Sequence, residues 1–336
     1  MRALRLEEIG RLALVEVERP SCPADGMLVK TGAALICTSD LNDIRENPFG
    51  IELPVVMGHE GAGVVAEVGP MARGFEVGDH VATHPVHPCG RCRSCTKGLP
   101  HLCLEMGHFG LNMPGTFGEY YVVRADRARV APRDADLAAV ALAEPICVCL
   151  EALTRARVGA GDALLIMGDG PFGALMARLA GRLGLGRLVI AGHHDFRLRL
   201  AGDAARVNAT GLADPVGVLR DASGDVGYDA VILAAGSKAA VTQGLELLAP
   251  RGRLVVFSAV LGETEIDLFP LHVKELEIVG ACNDLDMLDE AARLIAEGGL
   301  RLGELVTHRF PLEQYREAFE VAASRHGSAM KVALVF

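Results

Sequence analysis

The sequence predicts an α/β chain in which a doubly wound parallel sheet is set between two pieces of a strand-rich domain. Three observations carry this expectation. From Asp162 onward, short apolar runs rich in β-branched residues alternate with helix-length stretches, the pattern of strands joined by crossover helices. The first of those strands runs directly into a glycine-rich loop, Gly168-Asp-Gly-Pro-Phe-Gly173. The first hundred or so residues behave differently, with short β runs cut by glycine and proline, as in an antiparallel or barrel-like unit.

Taken in order, the early strands are expected at Leu12–Val17, Met27–Ala33, Leu53–Met57, Gly63–Val68, His80–Thr83 and Tyr120–Val123. Between Leu137 and Arg157 the apolar spacing turns helical. The parallel sheet then takes strands at Ala163–Met167, Arg187–Ala191, Tyr228–Ala234 and Arg253–Ser258, with Glu275–Gly280 beside the last. Helices are expected at Gly173–Leu183, Phe196–Ala205 and Ala239–Leu248. After about Asp284 come helices over Met287–Glu297 and Leu312–Ser324 and a final strand over Lys331–Phe336. The expected domains are therefore 1–150, 151–284 for the parallel sheet, and 285–336 returning to the first.

Composition narrows the function classes. The chain has 336 residues, enough for two cores, with 39 glycines, no Trp and only 4% aromatic residues, which suits an Ala/Val/Leu-packed α/β protein. A formal charge of −10 argues against nucleic acid or an acidic membrane as partner, since both ask for a basic face. The N-terminus has scattered charges and no apolar core, so no signal peptide is expected. The most apolar stretch, Ala138 to Leu150, is interrupted by Glu144 and Pro145 and is too short to span a bilayer. Nine cysteines without a secretory signal point to a reducing, cytoplasmic setting.

Four of those cysteines form one motif. Cys89, Cys92, Cys95 and Cys103 follow the spacing C-x2-C-x2-C-x7-C, which can bring four thiolates to one tetrahedral point. Such short spacing strains a disulfide, so a closed structural zinc site is expected. Arg91, Arg93 and Lys97 lie within the same lobe and read as a solvated surface.

The glycine-rich loop sits between strand and helix, and each of its glycines has a separate role. Gly168 makes the turn, Gly170 lets a pyrophosphate approach the backbone, and Gly173 lets helix pack on strand. Pro171 and Phe172 complete the loop, and free N–H groups at the helix start bind phosphate. Asp169 is unsuited to holding an anion and is expected to point away from it. In such folds an acidic residue at the end of the second strand accepts from the ribose hydroxyls. Here that position is Gly192, which leaves room for a 2′-phosphate. His193, His194 and Arg197 can donate to it, so NADP(H) is expected over NAD(H), although Asp195 could instead reach the ribose of NAD.

A second metal site is suggested by Cys37 in Cys-Thr-Ser-Asp40, by His59 in Gly-His-Glu-Gly61, and by Glu144, a carboxylate in an apolar run. A buried charge there needs a partner, and a metal with an open coordination position is one. Cys147 is the competing third ligand, because i+3 on a helix shares the face of Glu144.

These pieces, with Gly115-Thr-Phe-Gly-Glu-Tyr120 and Glu144-Pro145, make the chain similar over its whole length to the zinc-dependent medium-chain dehydrogenase/reductase family, and within it to the sorbitol, threonine and related polyol branch. The resemblance implies a GroES-like catalytic domain built from both ends of the chain and a Rossmann domain between them. It implies two zinc ions per chain, the catalytic one held by Cys37 and His59 with Glu60 or Glu144 as acidic or water-bridged ligand. The expected activity is hydride transfer between a nicotinamide cofactor and a secondary alcohol or ketone, on a polyol, sugar or cyclitol-like molecule. Ser39 takes the hydroxyl proton, and Asp40 orients the ligand imidazole. Two positions depart from the family pattern: Asn42 replaces a histidine that often relays the proton, and Thr38 replaces larger or basic residues. The family also joins Rossmann sheets edge to edge, which implies a homotetramer or homodimer. Other readings of the same sequence are a non-catalytic zinc-stabilised dinucleotide-binding protein and a zinc-independent reductase of the same fold.

Overall fold

A computed structural model describes residues 1–324 and 329–336. The backbone separates into two compact units, Met1–Cys147 with Leu285–Phe336, and Val148–Asp284.

The first unit contains strands β1 (Arg2–Glu8), β2 (Arg11–Glu16), β3 (Gly26–Ile36), β4 (Val55–Val56), β5 (Glu60–Val68), β6 (His80–Thr83), β7 (Val86–His87), β8 (Gly107–His108), β9 (Tyr120–Arg124) and β10 (Ala128–Ala131). Helices α1 (Thr38–Glu46), α2 (Arg93–Thr96), α3 (Leu137–Val140) and α4 (Ala143–Ala156) accompany them, α4 running on into the second unit. The main sheet has the order β10-β6-β5-β3, then the two strands of the C-terminal return described below, with β9 also on β3. β3 is its axis. Ten of its eleven residues are buried or half-buried, as expected of a strand covered on both faces. Leu4, Leu6, Ile36, Met57 and Phe117 fill one core beside it, and Met27, Val29, Val65 and Tyr121 fill another.

The second unit runs β11 (Ala163–Met167), α5 (Pro171–Ala180), β12 (Arg187–Gly192), α6 (Asp195–Arg199), β13 (Ala205–Asn208), α7 (Pro215–Ala222), β14 (Tyr228–Leu233), α8 (Lys238–Leu247), β15 (Leu248–Val256), α9 (Leu268–Val273) and β16 (Glu277–Gly280). All six strands are parallel, in the order β13-β12-β11-β14-β15-β16. That is the doubly wound arrangement, with the direction of winding reversing at β11, so the loop after β11 lies at the topological switch point where such sheets bind ligands. Leu165, Val231, Leu233 and Leu254 are wholly buried between the helix layers.

The chain then returns through α10 (Leu288–Glu297), β17 (Val306–Pro311), α11 (Tyr315–Ala323) and β18 (Lys331–Val335). β18 pairs antiparallel with β3 and parallel with β17.

Several expectations need correction. The helix expected over Phe196–Ala205 is only the five residues of α6, and the chain then enters β13. Gly202, at φ +69°, breaks it. The strand expected over Leu53–Met57 shrinks to β4, because Pro54 cannot donate to a ladder. α1, α7, β1, β10 and β17 were not anticipated. The run Leu137–Ala156 is long and apolar enough to cross a membrane by length and composition, but 78% of its most apolar window is buried within the fold.

Candidate functional site

The cysteine lobe closes on itself. The sulfurs of Cys89, Cys92, Cys95 and Cys103 all lie within 4.8 Å of one another, and none of the nine cysteines is in a disulfide. Cys92 Sγ is 3.6 Å from Cys95 Sγ and 3.8 Å from Cys103 Sγ. A tetrahedral zinc with bonds of about 2.3 Å has sulfur–sulfur edges of about 3.8 Å, so this donor set fits zinc closely. Backbone N–H groups point at the sulfurs: Cys89 N donates to Cys103 Sγ at 3.3 Å, Cys92 N to Cys89 Sγ at 3.4 Å and Leu104 N to Cys92 Sγ at 3.4 Å. Backbone donors at Cys95 and Leu104 push the Cys92 thiol down to about 6, which favours the thiolate a metal requires.

A second cluster forms where three adjacent strands end together. Leu35, next to last on β3, faces Glu60 on β5 and Ala333 on β18. This register sets Cys37, just past β3, beside Glu60 at the start of β5 and Lys331 at the start of β18. Ligand atoms of Cys37, His59 and Glu60 lie within 4.8 Å of one another, and all three residues are buried. Asp40 ties the cluster together. Its Oδ2 accepts from Cys37 N at 2.8 Å, and its Oδ1 is 3.4 Å from His59 Nδ1. Nδ1–H directed at Asp40 leaves Nε2 for a metal. Ser39 Oγ lies 3.3 Å from that Nε2. Burial opposes a charge on His59, but Asp40 and Cys37 together hold its pKa well above the usual histidine value.

Glu60 is wholly buried, and both of its oxygens accept from Lys331 Nζ at 2.5 Å. Burial works against the Lys331 charge, yet Glu60 raises its pKa overall. Glu144, in the first turn of α4, is in the opposite condition. Its Oε2 is buried without a hydrogen-bond partner, and burial, reinforced by Glu60, pushes its pKa up to about 7. An unpaired buried carboxylate oxygen in the field of an imidazole and a second carboxylate fits a cation that the amino acids alone do not supply. Neither Glu144 nor its rival Cys147, both buried, is among the Cys37, His59 and Glu60 ligand atoms that lie within 4.8 Å of one another. His108 is close by, its ring 5.9 Å from that of His59, and burial with His59 lowers its pKa to about 3.

Lys331 is the residue that sequence reasoning missed. A signal was present, since a lysine opens an otherwise apolar terminal strand. Thr38 is exposed, and Asn42 accepts from Arg45 at 3.2 Å. Phe109 is a core residue packed on His87 and Tyr121.

In the second unit the glycine-rich loop has the anticipated form. Gly168 stands at φ +132°, a conformation that excludes side chains, and a Cβ on Gly173 would lie 1.9 Å from Gly168 O. Gly170 precedes α5, Pro171 opens that helix, and the Phe172 ring lies 5.3 Å from that of Phe257. His193 is exposed, while His194 and Arg197 are half-buried. The space above Gly192, expected to be open, is filled. Asp169 turns toward the end of β12, where its Oδ2 accepts from His193 N and His194 N, each at 2.7 Å, and lies 3.0 Å from His194 Nδ1.

Two family models match this chain: the alcohol dehydrogenase GroES-like domain over residues 23–133, and the zinc-binding dehydrogenase over residues 171–297. The chain is 32% identical over 331 residues to an L-threonine 3-dehydrogenase of Pyrococcus abyssi, covering 95% of this chain and 93% of the relative. It is 30% identical over 328 residues to a sorbitol dehydrogenase of Bombyx mori, covering 93% and 92%. A zinc-binding dehydrogenase from Sinorhizobium meliloti, solved bound to NADP, superimposes with a TM-score of 0.92 at 27% identity, covering 100% of this chain and 99% of the other. The chain belongs to the zinc-type medium-chain dehydrogenase family, with a GroES-like domain and a Rossmann domain.

Proposed function

We propose that the protein is a zinc-dependent dehydrogenase that interconverts a secondary alcohol and its ketone, on a polyol, sugar or cyclitol-like substrate, with a nicotinamide dinucleotide as hydride partner. The observation that carries the reading is Glu144, whose buried Oε2 lacks a hydrogen-bond partner while its carboxyl feels the charges of Glu60 and His59, two members of the Cys37 group. A chain that only bound a dinucleotide would have no use for this costly arrangement.

The assigned roles follow from the contacts. Cys37 and His59 would hold the catalytic zinc, Glu144 would complete the set directly or through water, and Cys89, Cys92, Cys95 and Cys103 would hold the structural one. Glu60, neutralised by Lys331, borders the ligands and tunes their field more than it donates to the metal. When bound, zinc polarises the substrate hydroxyl and makes it acidic near neutral pH. A nicotinamide dinucleotide bound at the Gly168–Gly173 loop would supply the hydride acceptor. Asp40 fixes the His59 ring, and Ser39 Oγ, half-buried and 3.3 Å from His59 Nε2, takes the hydroxyl proton and passes it to water. Asn42 cannot carry a proton, so the relay does not continue from Ser39 through Asn42.

We also infer a homodimer or homotetramer. β16 is one of the two edge strands of the six-stranded sheet, and α9, just before it in the chain, exposes Leu268 and Phe269, at 65% and 70%. The composition and the cysteine usage are consistent with the cytoplasm.

The proposal is tested by a screen of polyols, sugars and amino alcohols with NAD and NADP, followed at about 340 nm, where the reduced nicotinamide absorbs. Turnover on a secondary alcohol supports it. A metal-replete protein that oxidises none of them and reduces none of the matching ketones refutes it.

A further inference from the structure

We propose that Asp169, the second residue of the glycine-rich loop, is the carboxylate that reads the adenosine ribose, and that it selects NAD(H) over NADP(H). The proposal rests on the dinucleotide-binding reading above and goes beyond it by naming the discriminating residue and the cofactor form.

In a doubly wound sheet the ribose is read at the end of the second strand, where an acidic side chain accepts from its hydroxyls. β12 ends in Gly192, which brings no side chain. The carboxylate arrives from the neighbouring loop instead. A Cβ built on Gly192 would lie 2.3 Å from Asp169 Cβ and 2.5 Å from its carboxyl carbon and its Oδ2. Asp169 therefore occupies the place from which an acid at position 192 would project. Glycine is required at 192 because any larger residue would displace it.

The carboxylate is firmly held. Asp169 has a side chain only 10% exposed, and its Oδ2 takes hydrogen bonds from both backbone N–H groups of the His193–His194 turn and from the His194 ring. All three fall on Oδ2, which leaves Oδ1 to accept from a ligand hydroxyl. The same bonds occupy part of what a 2′-phosphate would use. The two N–H groups are already spent on a carboxylate, and the His194 ring is paired with it. A phosphate carrying nearly two negative charges would meet Asp169 at close range, whereas a neutral ribose hydroxyl can donate to it. The expectation of NADP(H), drawn from Gly192 with His193, His194 and Arg197 as donors, did not include this side chain delivered from the loop after the neighbouring strand β11.

Isothermal titration of the full-length, zinc-loaded protein with NADH and with NADPH tests this without any substrate. The wild type is expected to bind NADH at least about tenfold more tightly than NADPH. In Asp169→Asn, which keeps an acceptor for the turn but loses the charge, that ratio should shrink by about tenfold. Asp169→Ser, with less bulk, should shift it the same way. A wild type that prefers NADPH, or a variant of wild-type melting temperature with an unchanged ratio, overturns the proposal. If neither variant folds, the wild-type ratio alone decides. Failure to bind either cofactor would instead refute the dinucleotide reading itself.

Discussion

Lys331 Nζ donates to both carboxylate oxygens of Glu60 at 2.5 Å, and neither side chain is more than 2% exposed. The pair joins β18, from the C-terminal return, to β5 across β3. It satisfies Glu60, as Cys37 N and His59 satisfy Asp40, and leaves a further buried acid, Glu144, with Oε2 unpaired. That asymmetry is the basis for assigning the cation to the side of Glu144.

Removing the lysine should be costly. Lys331→Met leaves the Glu60 charge buried and uncompensated, a situation that typically costs about 3–5 kcal/mol. Adding Glu60→Gln should recover a large part of the loss. Thermal or urea unfolding of both variants checks this, and an unaltered melting temperature for Lys331→Met would show that the pair contributes nothing.

The cysteine lobe should behave as a folding element. Cys95→Ser removes one thiolate of four, and because structural zinc contributes folding free energy directly, the variant should melt well below the wild type. It should also become indifferent to chelators at that lobe. An unchanged melting temperature would argue against a metal knot.

Asp43 gives a pH prediction. Burial raises its pKa from 3.8 to about 6, so the folded state holds this proton more tightly than the unfolded state. Stability from this group is therefore lost as pH rises from about 4 through 6, and the ionised form is the unfavourable one. Asp43→Asn should be the more stable protein at pH 8, by the order of 1 kcal/mol once solvent screening is allowed for, and no more stable at pH 4. Melting curves at both values test the sign. A stabilisation confined to low pH would reverse it.

The proposed assembly depends on the apolar surface near the sheet edge. Phe269→Asp, on the exposed face of α9, should shift the protein toward monomer in light scattering at micromolar concentration. A wild type that is already monomeric refutes the assembly.

Where the sequence was legible, a local signal coincided with the final environment. β11 is bounded as its apolar run implies, and the turn after it is dictated by Gly168 and Gly173 regardless of context. The four sulfurs of the lobe are near one another in the chain, so spacing alone places them together. What escaped notice depends on contacts distant in sequence. Lys331 and Glu60 are 271 residues apart, and nothing local in either pairs them. Asp169 lies 24 and 25 residues from His193 and His194, and its direction is set by the parallel register of β11 and β12. α1 was missed because its helix is largely polar and is fixed by Asp40 binding back to Cys37 N.

Central to the proposed function are two zinc ions of different kinds, one closed in the cysteine lobe and one open to substrate at Cys37, His59 and Glu144. Metal content per chain, measured on the wild type and on Cys37→Ser, tests this most directly. Two zinc ions are expected in the wild type and one in Cys37→Ser, with the melting temperature largely kept. A wild type with a single zinc that persists in Cys37→Ser would contradict the proposal.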